Sequence, residues 1–130
     1  RVNDVAVSDE KAKLRSGESV DVAARAAADL GAAAVLFNCC QVESVLPAVR
    51  AARAVLDRSI EVGGYANRFT AGHDDDTPAN AGIAALRDDV GPETYAGAAR
   101  QWLDAGATLI GGCCGIGPEH IARLAALVSA

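Results

Sequence analysis

The chain predicts an α/β fold built from parallel strand–helix repeats, and three observations carry that reading. Short apolar runs bounded by glycine and proline alternate with longer stretches of helical periodicity. That alternation makes the strands parallel and the helices crossovers between them. Hydrophobic residues make up 51% of the chain and aromatic ones only 4%, the small apolar composition that suits helices packed closely on a sheet. At 130 residues the chain is about one domain, long enough to bury a core. Two architectures fit: an open doubly wound sheet, or part of an eight-unit barrel, whose full form needs about 250 residues. Periodicity alone leaves both open.

The elements follow in order. Residues 2–9, "VNDVAVSD", read as a short strand. "SGESVDVAARAAADLG" reads as a helix with Ser16 or Ser19 as N-cap and Gly31 as its stop. Residues 33–39, "AAVLFNC", form a short apolar run expected of a strand buried on both faces. Residues 42–57 read as a helix in which Pro47 requires a nearby start or a kink. "IEVGGYAN", residues 60–67, is the next strand, and the polar run 68–90 reads as a surface excursion. "GPETYAGAARQWLDAGA" is a helix with Pro92 in its first turn and Glu93 at its positive end. Residues 108–114, "TLIGGCC", are a further buried strand. The last helix, "GPEHIARLAALV", should bury Ile121, Leu124, Leu127 and Val128.

Composition narrows the function classes. A net charge of −5 and a pI near 4.9 argue against nucleic acid as a partner. No apolar run approaches the roughly 18 residues needed to span a bilayer, and no signal-peptide pattern opens the sequence. These features predict a soluble, cytoplasmic protein whose cysteines are reduced. The sequence starts at Arg1 and contains no methionine, from which a piece of a longer chain is expected.

All four cysteines lie in two vicinal pairs, Cys39-Cys40 and Cys113-Cys114, each at the carboxyl end of a predicted strand. Active sites of parallel α/β folds gather at that end, where the strand-to-helix loops converge. A cysteine in an apolar strand is often a small buried hydrophobe, and neither pair has CxxC zinc spacing. Gly111, Gly112, Gly115 and Gly117 strip the surroundings of the second pair, leaving room for unusual backbone angles and close approach of a ligand. Read from the residues alone, three accounts stay open: packing, a thiophilic metal with zinc foremost, or an iron–sulfur cluster on all four sulfurs. In a regular strand Cys39 and Cys40 would face opposite ways.

"GGCCGIGPEHI", preceded by "YAGAARQWLDAGATLI", resembles the carboxyl-terminal signature of the homocysteine S-methyltransferase family. "KLRSGES", "LFNCC" and "VGGYANRF" are similar to further segments of that family, so the resemblance covers essentially the whole chain. It implies a zinc-dependent (β/α)8 TIM barrel of which residues 1–130 are the carboxyl-terminal half, units five to eight. It further implies that Cys39, Cys113 and Cys114 hold Zn2+, with Cys40 in packing or an outer shell. Three thiolates would leave one position for the thiol of homocysteine, which takes a methyl group from S-methylmethionine or S-adenosylmethionine and becomes methionine. Asn38, Tyr65, Asn67 and Gly112 are the expected substrate-binding residues, Asn38 as a neighbour of a ligand and Tyr65 and Asn67 at a strand end.

Other residues read more simply. His120 is expected to be exposed or to cap its helix rather than to ligate, and His73, in "AGHDDDTP", to belong to a solvated loop. Trp102 is expected in the core. The family's amino-terminal half is absent from this sequence, so a missing half-barrel or self-association is the expected partner. Two function classes follow: a methyltransferase, or a non-catalytic metal-binding half-barrel that needs a partner chain.

Overall fold

A computed structural model describes residues 12–70 and 85–129. The strand expected at 2–9, His73 and most of the polar excursion lie outside the described residues. Seven elements alternate: α1 (Val20–Asp29), β1 (Ala34–Asn38), α2 (Val42–Arg53), β2 (Glu61–Tyr65), α3 (Pro92–Asp104), β3 (Leu109–Ile110) and α4 (Pro118–Val128). The strands form one parallel sheet in the order β1-β2-β3, with Ala34 opposite Glu61, Asn38 opposite Tyr65, and Gly63 opposite Leu109. Among the described residues, no helix is long and apolar enough to cross a membrane.

Helix boundaries follow local chemistry. Ser19 occupies the N-cap of α1, and Gly31 stops it at φ +85°, with Gly31 N–H bonded to Ala28 C=O and Ala32 N–H to Ala27 C=O. α2 is shorter than the predicted 42–57. After Arg53 the chain turns, Asp57 accepting from Ser59 N–H at 2.8 Å and Arg53 Nη2 donating to Ile60 C=O at 2.6 Å. Pro47 lies inside α2, where its missing N–H leaves Glu43 C=O without a helical donor.

The order β1-β2-β3 runs in sequence, so right-handed crossovers set α2 and α3 on the same side of the sheet. The helices pack as a row, α1 on α2, α2 on α3 and α3 on α4. Between α2 and the sheet the fit is close, since a Cβ at Gly64 would fall 2.4 Å from Val45 Cγ1. This one-sided layering departs from a doubly wound sheet, which carries helices on both faces.

The strands are consequently not buried on both faces as expected. Phe37 and Val62 enter the core beneath the helices, whereas Leu36 is 39% and Leu109 43% exposed on the opposite face. β3 is also shorter than the predicted 108–114, ending at Ile110. In α4 the buried stripe is His120, Leu124 and the partly buried Leu127, while Ile121 and Val128 are exposed. Among the described elements α4 packs chiefly on α3, and its buried residues fall in one narrow stripe at i, i+4 and i+7. Trp102 is buried as expected, edge-on to Tyr95 at 5.6 Å.

Glycines in the sheet and in α3 yield opposite expectations. A Cβ at Gly63 would sit 1.9 Å from Leu109 O, a backbone atom that cannot step aside, so Gly63→Ala should destabilise by about 3 kcal/mol or more. Gly97 is exposed in α3 with open space around it, so Gly97→Ala should stabilise by roughly 0.5–1 kcal/mol. Urea unfolding of the two variants checks both signs.

Candidate metal centre

Backbone pairing continues past the strand ends. Cys39 N–H bonds to Tyr65 C=O at 3.0 Å, and Asn67 N–H to Cys40 C=O at 2.9 Å. On the other side Gly111 N–H bonds to Gly64 C=O at 3.1 Å and Cys113 N–H to Ala66 C=O at 2.9 Å. Three loops are thereby held side by side at the carboxyl end of the sheet, and both cysteine pairs lie on them.

The two pairs are shaped differently. Cys39 follows β1 directly and has φ +51°, a left-handed conformation uncommon for a residue with a Cβ. The kink parts the neighbours: Cys40 is fully buried in the hydrophobic core, while Cys39 remains partly exposed. In the second pair, Ile116 N–H bonds to Cys113 C=O at 3.1 Å, closing a turn in which Gly115 takes φ +77°. A side chain at Gly115 would also strike Leu86 and Arg68. Here the strand has ended, and adjacent sulfurs can share one side.

The Sγ atoms of Cys39, Cys113 and Cys114 all lie within 4.8 Å of one another. Cys39 to Cys114 and Cys113 to Cys114 are each 3.8 Å. Tetrahedral zinc thiolates, with Zn–S near 2.3 Å, set their sulfurs about 3.8 Å apart, so this donor set fits the ion. Burial first, then the neighbouring Cys39 thiol, pushes the Cys113 thiol up to about 11. Such crowded sulfurs become thiolates together only around a positive charge.

The other predicted residues are placed as follows. Asn67 is buried and joins the cluster, its Nδ2 donating to Cys39 Sγ at 3.7 Å while its Oδ1 accepts from Phe69 N–H at 3.0 Å. Asn38 ends β1 next to Cys39 and is exposed; Tyr65, opposite it, is partly buried. Gly112 faces Ile116, whose Cγ2 lies 2.2 Å from where a Cβ would stand, so its bareness accommodates that side chain. His120 caps α4, its Nδ1 accepting from Gly117 N–H at 3.3 Å, but it is buried rather than exposed, with Nε2 3.1 Å from Val90 O. It is not part of the sulfur cluster.

Sequence reasoning overlooked Tyr95 and Arg87. Tyr95 shares a buried stripe with Ala99 and Trp102 at i, i+4 and i+7, and its hydroxyl is the polar handle on that stripe. It donates to Gly111 C=O at 2.8 Å and accepts from Ala66 N–H at 3.0 Å. Arg87 clamps the segment after β2 to the start of α2. It makes paired bonds to Glu43 at 2.7 and 2.9 Å and to Asp89 at 2.7 and 3.1 Å, and one to Gln41 at 2.9 Å. Gln41 in turn donates to Phe69 C=O at 2.8 Å.

Arg87 holds the Glu43 carboxyl below its ordinary value of 4.5, so the pair contributes stability above that pH and loses it as pH falls through the lower folded value. Glu43→Gln should therefore cost under about 1 kcal/mol at pH 7, the pair being screened by solvent. The deficit should shrink in acid, at a pH well below that ordinary value, as the native carboxyl is protonated too. Urea titrations of both proteins at the two pH values test this; an undiminished deficit in acid would locate the effect elsewhere.

A family model described as homocysteine S-methyltransferase matches residues 3–128. Neither a curated protein nor a solved structure matches the chain.

Proposed function

Because the chain belongs to the homocysteine S-methyltransferase family, we propose that it carries the metal centre of a methyl transfer from a sulfonium donor to the thiol of homocysteine, giving methionine. The observation that carries this reading is the meeting of three sulfurs from two remote segments, Cys39 with Cys113 and Cys114, within 4.8 Å. These three would hold Zn2+. The ion supplies, when bound, a Lewis-acid position at which a substrate thiol is kept as thiolate at neutral pH.

The chain's own residues do the rest. Asn67 directs its amide at Cys39 Sγ and so orients that ligand. Asn38 and Tyr65, at paired strand ends next to Cys39, and Gly112, next to Cys113, are read as the residues that bind substrate. The substrate sulfur forms a bond to the methyl carbon as the bond from that carbon to the donor's positive sulfur breaks. The electron pair leaves with the donor, which becomes a neutral thioether, and the thiol proton passes to solvent. S-methylmethionine and S-adenosylmethionine both provide that chemistry.

Residues 1–130 are read as units five to eight of a (β/α)8 barrel. Support comes from the sequential parallel strands, the helices on one side, and the exposed row of Leu36 and Leu109 on the side that a closed barrel encloses. The same exposed row favours the second reading, a half-barrel that binds metal but acts only with a partner chain.

Purified protein is expected to carry about one zinc per chain, and Cys39→Ser, Cys113→Ser and Cys114→Ser to lose it. Cys40→Ser should keep the zinc while losing about 1–3 kcal/mol of stability, since it buries a hydroxyl in the core. Metal analysis by mass spectrometry reads the outcome, and unchanged zinc in the Cys113 and Cys114 variants refutes the ligand assignment. Methylation of homocysteine by the wild-type chain supports the enzyme; zinc without methylation supports the partner-dependent half-barrel.

A further inference from the structure

We propose that Tyr95 is a positioning residue for the metal centre, its hydroxyl serving as a spacer within the β2–β3 ladder that sets where Cys113 stands. This deepens the zinc reading and rests on it. In a parallel ladder a residue donates its N–H to one partner carbonyl and accepts, at its own carbonyl, from the N–H two residues further along. Gly111 N–H bonds to Gly64 C=O, so regular pairing would next join Ala66 N–H to Gly111 C=O. The Tyr95 hydroxyl stands in that place, accepting from Ala66 at 3.0 Å and donating to Gly111 at 2.8 Å. The ladder then resumes with Cys113 N–H on Ala66 C=O at 2.9 Å. One oxygen atom holds the two strand ends apart two residues before Cys113, which bears the sulfur.

The hydroxyl is itself well fixed. Tyr95 is fully buried, its ring edge-on to Trp102 at 5.6 Å and to His120 at 5.8 Å. His120 is anchored through Gly117 N–H and Val90 C=O. Phenylalanine would preserve the volume and both ring contacts. It would remove only the spacer, leaving Ala66 and Gly111 either unpaired or drawn together, and each outcome moves Cys113 relative to Cys39 and Cys114.

Tyr95→Phe is compared with the wild-type chain and with Leu124→Val, a buried change away from the ladder that lowers stability without touching the hydroxyl. Affinity for zinc is measured by chelator competition, and site geometry by the absorption of the cobalt(II)-loaded protein. Tyr95→Phe should bind zinc about tenfold more weakly, as loss of an outer-shell partner does, with altered cobalt bands. Leu124→Val should keep wild-type affinity and bands. Wild-type affinity and bands in folded Tyr95→Phe overturn the proposal while leaving the zinc reading intact; a wild-type chain that takes up no metal overturns both. Should Tyr95→Phe fail to fold, the wild-type chain still decides. Coupling is reciprocal, so zinc loading must slow hydrogen exchange at the Ala66 amide and the Tyr95 hydroxyl, and unchanged exchange at both overturns the proposal.

Discussion

Backbone pairing that outlasts the strands is the constraint on which the metal centre depends. β3 is two residues long, yet hydrogen bonds between neighbouring segments persist to Cys113 on one side and to Cys40 on the other. A parallel ladder fixes the axial level of each segment against the next, so residues 39 and 113, far apart in sequence, arrive at one height. The sulfurs meet because peptide groups have been matched, and the core of Val45, Val49, Val62, Tyr95 and Trp102 holds those groups in register.

Sulfur crowding works against the bare chain. Three thiols within van der Waals reach gain little from one another, and the partial burial that raises the Cys113 pKa makes a lone thiolate unfavourable there. The surroundings still fix the sulfurs in place. An amide from Asn67 points at Cys39, and the backbone around Cys113 is pinned at Gly111, Ala66 and Ile116. Preorganisation of this kind shifts the work of assembling a ligand set from the moment of binding to the moment of folding.

Much of the fold was legible because glycine and proline mark its boundaries. Gly31 and Pro92 lie where the helices stop and start, and the Gly-Pro opening of α4 likewise marks a helix start. Cys39, Cys113 and Cys114 were legible as a set only through the family pattern, since vicinal spacing is not a metal signature by itself. Three features were hidden for physical reasons. Burial of Leu36 and Leu109 depends on what covers the sheet's second face, which periodicity does not report. The turn at Cys39 violates a local preference and is imposed by tertiary hydrogen bonds. Tyr95 looked like any apolar-stripe aromatic, because its importance lies in a hydroxyl whose partners are 29 and 16 residues away.

The left-handed backbone at position 39 separates two pressures that usually act together. Glycine or asparagine would relax into that conformation more comfortably, so nothing about reaching the native state asks for a sulfur there. Backbone comfort therefore does not account for the choice of a cysteine at this position. Among the described residues, the non-glycine residue with a left-handed backbone is also one of the three whose sulfurs lie within 4.8 Å of one another.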